Sequence, residues 1–499
     1  MNPMNLAPAY PEIVLTVSTL AILLIDLYLP REKRHVTYAL ALLTLAVCAA
    51  ISFADLREGA TVYTLNNLFV SDSMSNLLKL FSYLAVALTL IYSRQYISDR
   101  GMDSSRAGSH LGGEFYVLVL FSLLGQMVII SGTNFLIVYL GIELMSLPLY
   151  ALVALRRENA GATEAAIKFF ILGALGSGFM LYGMSMLYGA TGSLDLLEVA
   201  KAAAFGEVNK TVLVFGVVFL VSGLAFKLGV VPFHMWVPDV YQGAPTPVAL
   251  LIAGSTKLAA FAICMRLLVE GLLPMALDWQ QMLTIIAVLS MGLGNITALV
   301  QTNIKRMLAY STIAQMGFML LGMLSGVTSG DTFDSATNAY SSALFYTITY
   351  VLTTLGSFGV ILLLSRSGFE AENIEDFRGL GQRSPWFAFV MLLLIFSLAG
   401  LPPLMGFYAK LSVLQAVLAA DKVWLAVTAV LFSLIGAFYY LRIIKLMYFD
   451  EPVDTSKIVA SADVRVALSL NGAAVLVLGI IPGPLMTLCA TAIFNTLSS

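Results

Sequence analysis

The chain has 499 residues, of which 59% are hydrophobic and only 11% charged, and its formal net charge is −2. That balance excludes a large soluble enzyme and points to a protein that crosses a membrane many times. The three cysteines, Cys48, Cys264 and Cys489, form no CxxC pair, and no GxGxxG or Walker-type loop is present, so the sequence offers no disulfide, zinc, iron–sulfur or nucleotide site of its own.

A span needs about 20 mostly apolar residues. By that rule the sequence predicts an all-α membrane protein of about fourteen spans, at 12–29, 36–54, 73–93, 114–131, 133–155, 162–189, 211–237, 247–270, 279–301, 305–325, 338–365, 385–420, 422–448 and 464–494. The opening stretch MNPMNLAPAYPE lacks a basic n-region and a cleavage site, so the first apolar run is expected to be a retained helix. Between the sixth and seventh spans, SLDLLEVAKAAAF (193–205) predicts a short amphipathic helix on the outer surface.

Lysine and arginine set the expected orientation. With both termini outside, the inside loops hold Arg31, Lys33, Arg34, Arg94, Arg100, Arg106, Arg156, Arg157, Lys305, Arg306, Arg366, Arg378, Arg383, Arg442, Lys445, Lys457 and Arg465. The outside loops hold Arg57, Lys201, Lys210 and Lys422, with Arg266 near an outside end. Excess basic charge marks the inner side of a membrane.

Two spans carry breaks. FKLGVVPFHMWVPDV in the seventh contains Gly229, Pro232 and Pro238, and SLAGLPPLMGFYAKL in the twelfth contains Gly400, Pro402, Pro403 and Gly406. Proline lacks an N–H and crowds the carbonyl four residues back, so neither helix continues regularly. The breaks lie five spans apart, and five is odd. Two five-span units, 4–8 and 9–13, would then be inverted relative to each other, the pattern of a transporter with its ion site at the broken helices. The expected organisation is one polytopic domain over 1–499, with spans 1–3 in 1–113, the first unit in 114–270, the second in 279–448 and the last span in 464–494.

Charges inside apolar spans cost about 2.5–3.5 kcal/mol each on insertion scales, so they mark function or a buried pair. Glu143, in FLIVYLGIELMSLPLYALVAL, is too deep to snorkel. Lys227 sits at the first break and is the expected switchable partner of Glu143; the plainer reading is a fixed ion pair. Lys257 is roughly 15 Å into its span, half the bilayer core. Lys410 follows the second break. A lysine held in such an interior can release its proton near neutral pH. Lys168 is only about two turns from the inside end and is as well explained by snorkelling. Lys79 and Asp26 are expected to be interfacial anchors. His234, at the first break, suits proton transfer but equally suits packing. His35 and His110 fall in inside loops, and Trp236 and Tyr241 read as an aromatic belt. Ser311 and Gln315 stand where Glu143 stands in the first unit, so the second unit lacks a matching carboxylate.

The runs GIELMSLPLYALVALRR, TEAAIKFFILGALGSGFMLYGMSMLYGATGSL, FKLGVVPFHMWVPDVYQGAPTPV, STKLAAF, NIKRMLAYSTIAQMGF and LAGLPPLMGFYAKL resemble the subunit N family of bacterial NADH-quinone oxidoreductase, respiratory complex I. The likeness runs along essentially the whole chain. The helix 7–8 segment marks the wider antiporter-like superfamily. The helix 5–6 runs and a lysine in helix 12 favour N over its sister M, and the length argues against sister L. The resemblance implies fourteen helices in two inverted repeats, proton translocation, and assembly with the other membrane-arm subunits in a bacterial inner membrane, as a hetero-oligomer with no nucleic-acid partner. It assigns proton-transfer roles to Glu143, Lys227, Lys257 and Lys410 and a lesser one to Lys168. It puts FMN, iron–sulfur clusters and quinone in partner subunits, with no cofactor on this chain. The alternative is a subunit of a multi-subunit cation/proton antiporter without redox partners.

Overall fold

The computed structural model describes residues 5–30, 33, 35–99, 113–156, 158–327, 333–365, 369–452, 458 and 460–498. Arg31, Arg34, Arg100, Arg106, Arg157, Arg366 and Lys457, used for the orientation, and His110 lie outside the described residues.

Helices dominate. In chain order they are α1 (Tyr10–Tyr28), α2 (His35–Glu58), α3 (Ser73–Asp99), α4 (Glu114–Ser131), α5 (Phe135–Val153), α6 (Ala160–Thr191), α7 (Leu196–Phe205), α8 (Lys210–Leu228), α9 (Trp236–Gly243), α10 (Thr246–Ala253), α11 (Ser255–Cys264), α12 (Ala276–Ala298), α13 (Ile304–Met323), α14 (Phe333–Leu364), α15 (Leu380–Arg383), α16 (Pro385–Ala399), α17 (Met405–Ala419), α18 (Val423–Phe449), α19 (Ala462–Ile480) and α20 (Gly483–Ser498). A small antiparallel hairpin, β1 (Val62–Thr64) with β2 (Phe69–Ser71), joins α2 to α3. Among the described residues, twelve helical stretches are long and apolar enough to cross a membrane, and each overlaps a predicted span; the predicted spans 305–325 and 385–420 are not among the twelve.

Local chemistry starts the helices. Asn134, Asn159, Asp195, Asn209 and Asn303 each accept a backbone N–H from the first turn that follows. Such a side chain satisfies one of the donors that a helix start leaves open. α7 is the predicted amphipathic helix, capped by Asp195 and seated through buried Leu196 and Val199.

Burial separates inner from outer helices. The Thr246–Glu270 stretch is buried along its length, and α14 nearly so. A helix apolar on all sides has to be central or lipid-facing, and these two are central. α14 packs on α3, α10, α13, α16, α17, α19 and α20. By contrast Val17, Leu20, Leu24 and Leu27 of α1 and Val427, Leu431, Leu434 and Phe438 of α18 are exposed, as a lipid-facing surface requires.

Four predicted features differ. The eighth span is not continuous: Gly254 interrupts it with φ −98° and ψ −98°, and Met265–Glu270 closes it as a π-helical turn. The last span is two helices, α19 and α20, parted at Pro482, which cannot donate to the preceding turn. Lys79 is no interfacial anchor: it is 0% exposed and pairs with Glu12 at 2.7 Å, 4.9 Å from the Phe69 ring centre. The hairpin roofs the start of α3, and the first turn of α1 brings in a carboxylate, so depth counted along one helix misjudged the site. Trp236 and Tyr241 are not an aromatic belt either, being 4% and 0% exposed in the interior.

A candidate ion-conducting site on two broken helices

The first break follows α8. Its last residue is Leu228, and Gly229 turns the chain with φ +76°. A Cβ there would lie 2.5 Å from Val237 Cγ2, so glycine answers both the left-handed backbone and the space. The Val231–Pro232 peptide is cis, and α9 resumes at Trp236. Non-helical backbone inside a membrane needs new partners, and they are present. Lys257 Nζ donates to the Leu228 carbonyl at 2.9 Å, Trp236 Nε1 to Phe226 O at 3.0 Å, and Val231 N to Ser290 Oγ at 2.9 Å.

The second break repeats this. α16 ends at Ala399, Gly400 has φ +85°, the Pro402–Pro403 peptide is cis, and α17 begins at Met405. Lys410 Nζ donates to the Ala399 carbonyl at 2.9 Å and to Ser433 Oγ at 2.9 Å. Two lysines thus sit on the last carbonyls of two interrupted helices, where the helix dipole is negative and favours a cation.

Lys227 lies one residue before the end of α8, half-buried. Its ammonium donates to Ser146 Oγ at 3.0 Å. No ion pair within 4.0 Å joins it to Glu143, its expected switchable partner, in this arrangement. Glu143 stands one turn from Ser146 on α5, and its Oε1 is buried without a hydrogen-bond partner. The serine hydroxyl therefore occupies the lysine and leaves the carboxylate close by but unpaired.

Lys168 is half-exposed and ion-paired with Glu164 and Asp239, both at 2.8 Å. Asp239 also holds Arg306 at 2.7 Å. Sequence reading missed Asp239. The signal was there: it is seven residues past Pro232, as Lys410 is seven past Pro403. The same register sets Leu398 opposite Lys227. His234 lies in the first break, half-buried, with Nδ1 unpartnered, and no hydrogen bond joins it to the lysines.

Around the second break hydroxyls and an amide stand in for charge. Gln315 donates to Leu398 O at 3.0 Å and to the Tyr440 hydroxyl at 3.1 Å, while the Tyr346 hydroxyl donates to Gln315 Oε1. Counting from the caps Asn134 and Asn303, Thr312 matches Glu143 and Gln315 matches Ser146. The contact of Ser146 with Lys227 thus has its counterpart in that of Gln315 with Leu398. Among the described residues no cluster of His, Cys, Asp and Glu could hold a metal ion.

The fold and the paired breaks are those of a class of membrane subunit: residues 132–436 match the family described as NADH:quinone oxidoreductase/Mrp antiporter, TM. Within that class the chain is 68% identical, over the full length of both chains, to "NADH-quinone oxidoreductase subunit N" of Herminiimonas arsenicoxydans. It superposes with TM-score 0.78 and 32% identity on a chain of respiratory complex I from Thermus thermophilus with bound Aureothin, covering 96% of this chain and 99% of that one. It shares its fold with a chain of the Mrp complex from Dietzia sp. DQ12-45-1b (TM-score 0.80, 19% identity, 99% and 98% covered). The chain belongs to the NADH-quinone oxidoreductase subunit N family, and it is a multi-pass membrane protein.

Proposed function

We propose that this chain is the proton-translocating, antiporter-like subunit N of a membrane NADH-quinone oxidoreductase, a subunit of a translocase enzyme that carries no redox centre itself. FMN, iron–sulfur clusters and quinone would reside in partner subunits of the same hetero-oligomer. The chain would cross the inner membrane fourteen times with both termini outside, in two inverted five-helix units. Matched contacts support the repeat. Phe135 N donates to Leu194 O and Leu196 N to Thr133 O, as Ile304 N does to Glu372 O and Ile374 N to Thr302 O.

The single observation that carries the function is the pair of buried lysines on the broken-helix carbonyls, Lys257 on Leu228 and Lys410 on Ala399. Each can surrender a proton without leaving its site, because the carbonyl also accepts from a neutral amine. Protons would pass from the inside through Lys227 and Lys257 to Lys410 and out, with Glu143 drawing Lys227 from Ser146 when the carboxylate is charged. Lys168 would stand near the mouth, and His234 would serve at most as a side branch.

Lys227→Ala should abolish NADH-driven proton pumping in inverted vesicles while assembly persists. Lys227→Arg should fail equally, because a guanidinium keeps its proton. Full pumping by both would sink the proposal. Purification in mild detergent separates it from a redox-free cation/proton antiporter, since flavin and iron–sulfur absorbance would travel with the chain only here.

A further inference from the structure

Arg266 is a basic residue near an outside end, against the charge bias, and it lies within an apolar span. It is 2% exposed. Its Nε donates to Ile130 O at 3.1 Å, and Nη2 reaches both oxygens of Asp72 at 2.9 and 3.0 Å; Nη1 bonds Glu270 across the π-helical turn. The hairpin closes over this node, with Phe69 bridged to Gly132 and Thr133 Oγ1 bonded to Asn67 O.

Arg442 makes the counterpart contact in α18. Its Nη1 donates to Leu299 O at 3.0 Å and Nη2 to Gln301 O. Ile130 is four residues before the cap Asn134, and Leu299 is four before the cap Asn303. Each arginine therefore reaches from the last helix of its unit to the same carbonyl at the end of the first. In the proposed orientation Arg266 lies at the outside end of the first unit and Arg442 at the inside end of the second. At the opposite, inside end of the first unit is a shallow, open surface depression lined by Glu158, Thr163, Glu164 and Lys168.

We propose that Arg266 and Arg442 are paired seals that close the dead end of each unit to protons. The inference rests on the translocation reading above. A route that enters the first unit from inside and leaves the second to the outside short-circuits unless those two ends are shut. A guanidinium makes a good seal. It cannot release its proton, and here it occupies the end carbonyls that would otherwise accept one. Arg442, with no carboxylate partner among the described residues, also presents fixed positive charge to an approaching hydronium.

The test is the passive decay of an imposed pH gradient in proteoliposomes holding the whole complex, with no NADH added. Arg442→Met and the triple variant Arg266→Met, Asp72→Asn, Glu270→Gln are compared with wild type. The triple removes the carboxylates that Arg266→Met alone would strand. The expected result is decay faster by on the order of tenfold in both, with NADH oxidation retained. An assembled variant that holds the gradient like wild type overturns the proposal. Among the described residues Arg442 hydrogen-bonds to backbone carbonyls alone, so Arg442→Met decides the matter if the triple variant fails to assemble. Failure of the translocation reading would register separately, as NADH-driven pumping by Lys227→Ala.

Discussion

Replacing Glu12 by glutamine tests the buried pair with Lys79. Nζ lies 2.7 Å from Oε1, the lysine side chain is 0% and the glutamate side chain 9% exposed, and the Phe69 ring covers the ammonium. At an effective dielectric of about 20, charges this close attract by roughly 5–6 kcal/mol before desolvation is counted. Glutamine leaves the ammonium buried with no countercharge, a loss of about 3–5 kcal/mol in comparable pairs. Because α1 and α3 meet at this pair, the loss should fall on their local opening. Hydrogen exchange of the first turns of α1 and α3 in the purified complex should accelerate by about a hundredfold to several thousandfold, from 1.4 kcal/mol per factor of ten. The double variant Glu12→Leu, Lys79→Met should return exchange close to wild type, since an apolar pair of similar volume is often neutral or better. Proton pumping should hold in both, because the pair lies apart from the broken helices. Wild-type exchange in Glu12→Gln would refute the reasoning, as would a double variant no better than the single.

Two further outcomes follow from the geometry. Gly400→Ala places a side chain at φ +85°, at a cost of about 1–2 kcal/mol, and its Cβ would sit 2.7 Å from Lys410 Cδ. The lysine is then expected to leave the Ala399 carbonyl, lowering the ratio of protons pumped to NADH oxidised; an unchanged ratio contradicts this. Burial alone would raise the Asp72 carboxyl, but the Arg266 guanidinium and Ser75 hold it below its ordinary value of 3.8. Such a carboxyl stabilises the fold above its unfolded value, and the contribution disappears as pH falls through the folded value. Asp72→Asn should therefore flatten the acid-side fall of the complex's Tm below about pH 4; the same slope as wild type counts against it.

The helices were legible because apolar runs of about twenty residues have few other uses, and the breaks because Gly and Pro stood where no helix continues. What the sequence hid was everything set by partners distant along the chain. Lys79 looked shallow because Glu12 lies in another helix. Trp236 looked interfacial because its indole N–H finds Phe226 O only once α8 has stopped. The Glu143–Lys227 pair was inferred from charge alone, whereas Ser146, an inconspicuous hydroxyl, takes the ammonium. Asp239 was readable by aligning the two breaks at Pro232 and Pro403, a comparison of register rather than composition. The break at Gly254 had a weaker marker, the Gly254–Ser255 pair, because no proline stands there to stop the helix.

The two broken helices match in backbone but not in charge: Lys227 faces Leu398 in register, Asp239 faces Lys410, and Glu143 faces Thr312. A molecule whose halves were chemically identical and inverted would look the same from either side of the membrane. Turning it over would change nothing, and it could have no preferred direction of transport. In the proposed inverted arrangement, the mismatched residues would give this protein a front and a back, so that a scaffold close to two-fold could act as a rectifier. On that view Thr312→Glu together with Leu398→Lys narrows the distinction between the two faces, and Asp239 against Lys410 maintains what remains of it.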